Sequence, residues 1–204
     1  NHFIGTGFRG IAYMADRAME ASHRRKPYWF VAQGHRREPE GCDPDDVRAP
    51  TYDDLKTSAW LSVVRGARGV LWFWYPAMQR QPETWKALKR VVGEMNDLMP
   101  LLTSTGPETR GHDEDAHVYW MIRSVGDETW AVACNYETDP TRATIPVSAD
   151  LATGATEVHE GRRLNVVDGA LADDFGPLQT HIYRLTGSQA GAQRPRPATP
   201  RPAP

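Results

Sequence analysis

The chain has 204 residues, of which 40% are hydrophobic, and its 24 basic and 26 acidic residues give a formal net charge of −2. This is enough apolar material for a core, whereas the near-neutral charge gives no indication of a nucleic-acid or membrane-surface partner. No apolar run approaches the ~20 residues that a membrane-spanning helix needs. Cys42 and Cys134 fit no metal-binding spacing, and whether they pair is left open.

The first predicted elements are a helix and an apolar strand. The chain begins at Asn1 without a signal peptide and enters an α/β pattern at once, so we expect it to be a piece of a longer protein. Arg9–Arg25 has apolar residues at helical spacing, and Pro27 prevents its continuation. Tyr28–Gln33 is apolar almost throughout, as strands are when both faces of a parallel sheet are covered. The long, charged loop His35–Pro50 follows, and such loops are usually functional or mobile.

A second helix and strand complete a βαβ unit. Thr51 followed by Asp54 predicts a helix N-terminus with a capping box, and this helix ends at Gly66. Val70–Tyr75 is the second apolar strand, and a further helix begins at Pro82. Two or three parallel strands cannot close a barrel, which takes eight, and their unpaired edges are an aggregation liability. We therefore expect upstream residues or another chain to complete the sheet.

The pattern changes to short strands after a polar linker at 103–116. Turn signals separate these strands, and the Asp168–Gly169 pair is a strong hairpin signal. The predicted strands are His117–Arg123, Thr129–Asn135, Arg142–Val147, Thr156–His159, Arg163–Val167 and His181–Leu185. Short strands at this spacing predict a small antiparallel β-sandwich. The tail, 187–204, is dominated by Pro, Ala, Arg and Gln, which predicts disorder.

Candidate ligand-binding residues follow the two parallel strands, because ligands bind at the carboxyl edge of the strands in α/β folds. Gln33, His35 and Arg48 have side chains that can hydrogen-bond the hydroxyls of a polar ligand. The alternative is that Gln33 caps its strand while the other two are solvated loop residues. Trp74 and Tyr75 end the second strand, where an aromatic ring either stacks on an apolar sugar face or packs into the core.

A glycine pattern near the start of the chain suggests a different class of protein. Gly5–Gly10 matches G-x-G-x-x-G before a helix, as in dinucleotide-binding folds. Such a site also needs an acidic residue at the end of the following strand, where this chain has Gln33. Arg36 and Arg37 would instead suit a 2′-phosphate. An NAD(P)-dependent oxidoreductase therefore remains an alternative, beside the simpler interpretation of a flexible loop before a helix.

Acidic and metal-binding patterns are weak. His112–His117 contains two histidines and three acids, but its position in a polar connector favours a solvated segment over a metal site. Glycosidic cleavage usually needs two carboxylates that flank the bond, and neither predicted parallel strand ends in an acid. Glu38 and Glu40 lie in the following loop, where they would reach inward or, more commonly, remain solvated.

Three segments taken together resemble a known family. Their sequences are KPYWFVAQ at Lys26–Gln33, RAPTYDDL at Arg48–Leu55 and GARGVLWFWY at Gly66–Tyr75. The combination resembles the last two β/α units of bacterial TIM-barrel glycoside hydrolases and their glycosidase-like relatives. The strand-rich region His117–Leu185, which ends in THIYRL, is similar to the C-terminal sandwich that follows such barrels.

The resemblance implies a fold class of α/β followed by all-β. Residues 1–102 would be the C-terminal part of a (β/α)8 barrel with its last two to three β/α units, 103–116 a linker, 117–186 a β-sandwich domain and 187–204 the Pro-rich tail. The implied partners are a carbohydrate substrate or ligand and the missing N-terminal portion of the barrel. No cofactor or metal is expected. The resemblance also implies a secreted or periplasmic location.

The resemblance also bears on catalysis. In retaining glycosidases of this kind the nucleophile is a Glu at the end of strand seven, a position that Gln33 occupies if Tyr28–Gln33 is strand seven. An amide cannot act as a carboxylate nucleophile, so the catalytic residues remain unknown and the chain alone should be inactive. The implied carbohydrate contacts are Gln33, His35, Arg48, Trp74 and Tyr75. The alternative within the same fold is a non-catalytic carbohydrate-binding barrel.

Overall fold

The computed structural model describes residues 7–23, 26–36 and 48–187. The first half of this part consists of α1 (Gly7–Ala21), β1 (Trp29–Gln33), α2 (Tyr52–Val64), β2 (Gly69–Phe73), α3 (Tyr75–Met78), α4 (Pro82–Asp97) and α5 (Met99–Thr103). The second half is all-β, with β3 (Glu108–Asp113), β4 (Val118–Val125), β5 (Glu128–Asn135), β6 (Thr141–Pro146), β7 (Gly154–Glu157), β8 (Arg163–Val167), β9 (Ala170–Phe175) and β10 (Thr180–Thr186). No helix in these ranges is long and apolar enough to cross a membrane.

Strands β1 and β2 form a two-stranded parallel sheet joined through α2, as the predicted βαβ unit requires. The register runs from Trp29 opposite Gly69 to Gln33 opposite Phe73. One face of the sheet packs under α2 and buries Phe30 and Ala32. The other face, and the outer edge of each strand, have no strand against them among the described residues.

Helix α2 begins with the predicted capping box. The Thr51 side chain accepts a hydrogen bond from the Asp54 backbone, and the Asp54 carboxylate accepts one from the Thr51 backbone N–H at 2.7 Å. Every residue from Asp54 to Val64 is buried. Serines on the helix satisfy their hydroxyls internally, since Ser58 and Ser62 donate to main-chain carbonyls one turn back. The helix is therefore covered on all sides, unlike the half-exposed helices typical of protein surfaces.

The covering of α2 comes from both halves of the chain. Helix α2 contacts β1, β2, α1 and α4 within the first half, and β4, β5 and β10 within the second. The Thr57 hydroxyl donates a hydrogen bond to the Leu178 carbonyl across this boundary. A single hydrophobic cluster accordingly includes Leu61 and Trp60 of the helix together with Val132 and Ile182 of the β-rich half. The two halves share one core.

The β-rich half is one continuous antiparallel sheet in the order β3-β4-β5-β10-β7-β8-β9-β6. The sheet curls so that its end strands β3 and β6 approach each other, and the Thr144 N–H donates to the Asp113 carboxylate at 3.0 Å. The predicted sandwich is thus a barrel-like sheet around its own core. A curled sheet and a sandwich give the same alternation of inward and outward residues, so the pattern alone could not separate them.

Two strands were not predicted. Strand β3 lies inside the stretch 103–116 that was predicted to be a linker, because its polar sequence ETRGHD lacks apolar alternation. Strand β9 is the second strand of the hairpin whose turn, Asp168–Gly169, was predicted from the sequence. Both turn residues have positive φ, 50° and 77°, and Val167 pairs with Ala170 across them. That turn supports the hairpin geometry expected of an Asp-Gly pair.

Several predictions fall outside the described residues. These are the Gly5 end of the glycine pattern, Arg37, Glu38 and Glu40, the thiol of Cys42 and the tail at 188–204. Cys134 is a buried, free thiol, and burial raises its pKa to about 12.

The β-rich half contains a buried ionic network at the ring of His181. Asp173 accepts hydrogen bonds from Arg162 at 2.8 and 2.9 Å and from the Tyr183 hydroxyl at 2.8 Å. The His181 Nδ1 lies 2.9 Å from the same carboxylate, and its ring stacks on Phe175. Burial, reinforced by Arg162, lowers the pKa of His181. Burial opposes ionisation of Asp173, but the bonds from Arg162 and Tyr183 outweigh it and lower its pKa.

Because α2 is buried on all sides, introducing a leucine into α2 should cost more stability than introducing one on the exposed face of α4. Ala59 is fully buried, so Ala59→Leu should lower the free energy of unfolding by about 1–3 kcal/mol through overpacking. Lys86 is exposed on α4, and Lys86→Leu should change it by less than about 0.5 kcal/mol. Urea unfolding measures both values. Equal effects of the two variants would contradict the shared core around α2.

The network around His181 predicts a pH-dependent stability. A histidine with a lowered folded pKa contributes stability that declines as the pH falls below its unfolded pKa of about 6.5. His181→Phe removes that titration while keeping a ring against Phe175. The stability advantage of the native protein over His181→Phe should therefore shrink between pH 8 and pH 5 in thermal unfolding. An advantage that is constant or grows as the pH falls would refute the assignment.

Candidate functional site

A cavity of about 550 Å³ opens along the free edge of β1. Ile11 and Met14 of α1 form one wall, and Phe30 to Gln33 of β1 form the other. His35 and Phe73 close the end of the cavity at the carboxyl edge of the strands. Its described lining is therefore apolar along the strand and polar only at the strand ends, the arrangement common in ligand pockets.

Gln33 and His35 are held together at the polar end of this cavity. The Gln33 side-chain amide donates to the His35 carbonyl at 2.9 Å. The His35 Nδ1 lies 2.9 Å from the Phe73 carbonyl, which can only accept, so Nδ1 carries the proton. In the neutral imidazole this leaves Nε2 as an acceptor. The loop is tight here because Gly34 also donates its N–H to the Phe73 carbonyl, at 2.6 Å.

Aromatic rings surround His35. Phe73 and Trp74 stack with their centroids 6.1 Å apart, and each meets the His35 ring edge-on. Trp74 is 50% exposed, so part of its indole remains open to a ligand. Trp72, two residues earlier, instead lies partly buried against the core. Trp72 thus packs against the core, whereas Trp74 lies at the candidate site.

Tyr75 and Arg48 contact other groups than the His35 cluster. The Tyr75 hydroxyl accepts from the Gln79 amide at 2.6 Å, and its ring packs edge-on against Trp85. Arg48 forms a two-pronged ion pair with the fully buried Asp54, with Nη2 at 2.9 Å from Oδ1. That pair completes the N-terminal cap of α2. Carbohydrate contacts by Tyr75 and Arg48 stay predictions.

Phe73 is the site residue that the sequence analysis did not select. The sequence analysis selected Trp74 and Tyr75 as the candidate aromatic residues here. In the structure Phe73 is 56% exposed and its carbonyl anchors both Gly34 and His35. It pairs in register with Gln33, and paired residues of parallel strands lie on the same face of a sheet. This register is a property of the folded sheet and could not be read from the sequence.

The other sequence patterns take ordinary structural positions. Gly7 and Gly10 fall in the first turn of α1, so this part of the glycine pattern is helix rather than a loop before it. His112 lies in β3, one residue before its end, and His117 lies in the turn before β4. Among the described residues, no group of three or more His, Cys, Asp or Glu is arranged to hold a metal ion. No Asp or Glu lines the described wall of the strand-end cavity.

Comparison with known proteins gives a fold but not a family. No protein-family model matches the chain, and no curated protein matches it significantly in sequence. Two crystal structures of AmyP, one of a variant with maltotriose and one with maltose, are similar over 85% of this chain and 44% of theirs. Their TM-scores are 0.56 and 0.54, at 12% and 14% identity.

A third similar structure is weaker. The GH30 endoxylanase of Clostridium papyrosolvens C71 aligns over 91% of this chain and 48% of its own, with a TM-score of 0.48 and 14% identity. The chain spans less than half of each of these three proteins. The structural neighbours are thus glycoside hydrolases at low identity, and the likeness to AmyP supports a glycosidase-like fold at a coarse level.

The Arg48–Asp54 pair predicts a graded loss of stability. Arg48→Ala leaves the buried Asp54 carboxylate without its charged partner, and the free energy of unfolding should fall by about 2–3 kcal/mol. Arg48→Lys keeps the charge but not the two-pronged geometry, so its loss should be smaller. Chemical unfolding at pH 7 measures the order. A stability of Arg48→Ala equal to that of the native protein would show that the cap does not depend on this pair.

Proposed function

We propose that this chain is the C-terminal part of a glycoside-hydrolase-like (β/α)8 protein that binds carbohydrate at the carboxyl ends of its strands. The observation that supports the proposal is the exposed apolar face of the β1–β2 sheet. On the face away from α2, Trp29, Val31, Leu71 and Phe73 are 65, 57, 47 and 56% exposed. In a closed barrel this inner face is filled by layers of packed side chains, so further strands would cover all four.

Both edges of the sheet support the same proposal. The strand-end cavity follows the outer edge of β1, and a second cavity of about 280 Å³ follows β2 on the other side. The second cavity is lined by Val70 and Trp72 of β2 and by Val92 and Met95 of α4. The Trp72 Nε1 is buried there without a hydrogen-bond partner among the described residues. Each edge therefore offers apolar walls, and no strand among the described residues pairs with its main chain.

The carbohydrate ligand is inferred from the chemistry at the strand ends. A half-exposed Trp74 offers a ring face to an apolar sugar face, and the amide of Gln33 and the free nitrogen of His35 suit sugar hydroxyls. The coarse likeness to AmyP, which was crystallised with maltose and maltotriose, is consistent with this ligand class. The strand-end residues bind and orient the ligand in this proposal.

Hydrolysis would need carboxylates from elsewhere in the protein. Two acids must flank a glycosidic bond, whereas β1 ends in Gln33 and the described cavity wall has none. The same observation favours a second candidate function, a carbohydrate-binding barrel without catalysis. The two functions share the fold and the ligand, and they differ only in turnover.

Joining the chain to its native upstream sequence tests the proposal. The joined protein should bind neutral oligosaccharides, and Trp74→Ala should weaken that binding about tenfold. The 204-residue chain alone should hydrolyse no aryl-glycoside. Turnover by the isolated chain, or oligosaccharide binding that is indifferent to Trp74→Ala, would contradict the proposal. Lys86→Leu, on the exposed face of α4, is the matched control.

A substitution at position 33 separates the two candidate functions. Gln33→Glu in the joined protein restores a carboxylate at the end of β1. A gain in glycoside turnover would support a degenerate enzyme, and unchanged turnover with intact sugar binding would support a binding protein. Loss of folding is monitored by circular dichroism, because the Gln33 amide donates to His35 and the carboxylate cannot.

A further inference from the structure

A second groove lies on the opposite face of α1 from the strand-end cavity. Ile11 and Met14 face that cavity, whereas Arg9, Tyr13 and Asp16 face this groove, as the 100° rotation per helical residue requires. The groove has a volume of about 380 Å³. An adjoining cavity of about 310 Å³ shares Arg9 with it. The larger of the two, which lies between α1 and residues of β3, β4 and the segment after β5, is here called the α1–β3 groove.

The floor of the α1–β3 groove is a set of packed rings. The His112 ring stacks on Tyr119 with a centroid separation of 4.0 Å, and Tyr119 lies 5.1 Å from Tyr136. The Tyr136 hydroxyl lies 3.0 Å from His112 Nε2 and 3.4 Å from His117 Nδ1. Burial raises the pKa of both tyrosines, so both hydroxyls stay protonated near neutral pH. The two tyrosine hydroxyls of the floor are thus neutral donors and acceptors.

The two cations at the groove are paired, and the carboxylate of Glu114 also lines it. Arg9 contacts Glu137 at 2.6 Å, and Arg65 pairs with Asp16. The Arg65 guanidinium also lies 4.4 Å from the centre of the Tyr119 ring. A groove whose cations are already neutralised does not favour phosphates or nucleic acid, which bind to unpaired basic groups. A paired carboxylate still has a lone pair and a paired guanidinium still has an N–H, and both can hydrogen-bond to the hydroxyl groups of a neutral ligand.

The wall of the groove adds an aromatic face. Tyr13 is 66% exposed and lines the groove. Large exposed rings are amphipathic binding surfaces, apolar on the face and polar at the hydroxyl. An open ring above a floor of hydroxyls, between paired charges, has the elements that a hydroxyl-rich ring needs for recognition.

We propose that the α1–β3 groove is a binding site for a neutral oligosaccharide, separate from the strand-end site. One sugar ring stacks on Tyr13, and its hydroxyls meet the Tyr119 hydroxyl, His117 and the carboxylate of Asp16. The site belongs entirely to described residues of α1 and the β-rich half, so it does not depend on completion of the β1–β2 sheet.

The test is a titration of the isotope-labelled 204-residue chain with maltotriose and, separately, with cellotriose, followed by amide NMR. At least one sugar should shift amides of α1, β3 and the turn at His117. Tyr13→Ala should weaken this binding about tenfold, and Tyr13→Phe, which keeps the ring, should stay within about twofold. Trp74→Ala should leave the shifts at the groove unchanged. Circular dichroism confirms that each variant is folded.

The outcomes separate this site from the proposed function. The groove site is overturned if neither sugar causes amide shifts. It is also overturned if the shifts are confined to the strand ends, but that result leaves the proposed function standing. Groove shifts that survive Tyr13→Ala also overturn the groove site. Inorganic phosphate is the anionic comparison. Equal occupancy of the groove by phosphate at the same concentration would overturn the assignment to a neutral ligand.

Discussion

The burial of α2 on every side is the constraint on which the rest of the structure depends. A helix of this kind can be stable only if both of its faces are covered, and here the β1–β2 sheet covers one face and the curled sheet covers the other. Small side chains such as Ser58 and Ala59 let both sheets approach closely. The cap formed by Thr51, Asp54 and Arg48 satisfies the end of the helix where it would otherwise leave unpaired N–H groups.

This arrangement explains why the chain is well packed on one side and open on the other. The face of the β1–β2 sheet that meets α2 belongs to the shared core, while the opposite face exposes Trp29 and Leu71. The carboxyl ends of the two strands hold Gln33, His35 and Phe73 in fixed relation through the Phe73 carbonyl. The candidate site is therefore anchored to the core even though one face of the sheet beside it is exposed.

The sequence predicted those features that local chemistry determines. The capping box at Thr51, the parallel βαβ unit and the Asp168–Gly169 hairpin follow from short-range patterns, and the structure has all three. The polar strand β3 was missed because its pairing with β4 comes from tertiary contacts rather than alternation. At the site, His35 contacts both Gln33 and Trp74. The role of Phe73 could not be predicted, because it depends on a main-chain carbonyl.

The central claim is that β1 and β2 are neighbours in a larger closed sheet. Hydrogen exchange of the β1 and β2 amides tests it most directly, measured for the chain alone and joined to its native upstream sequence. The account predicts that amides on the outer edges of both strands exchange much more slowly in the joined protein, while amides shared between β1 and β2 change little. Equal exchange at the outer edges in both forms would contradict it.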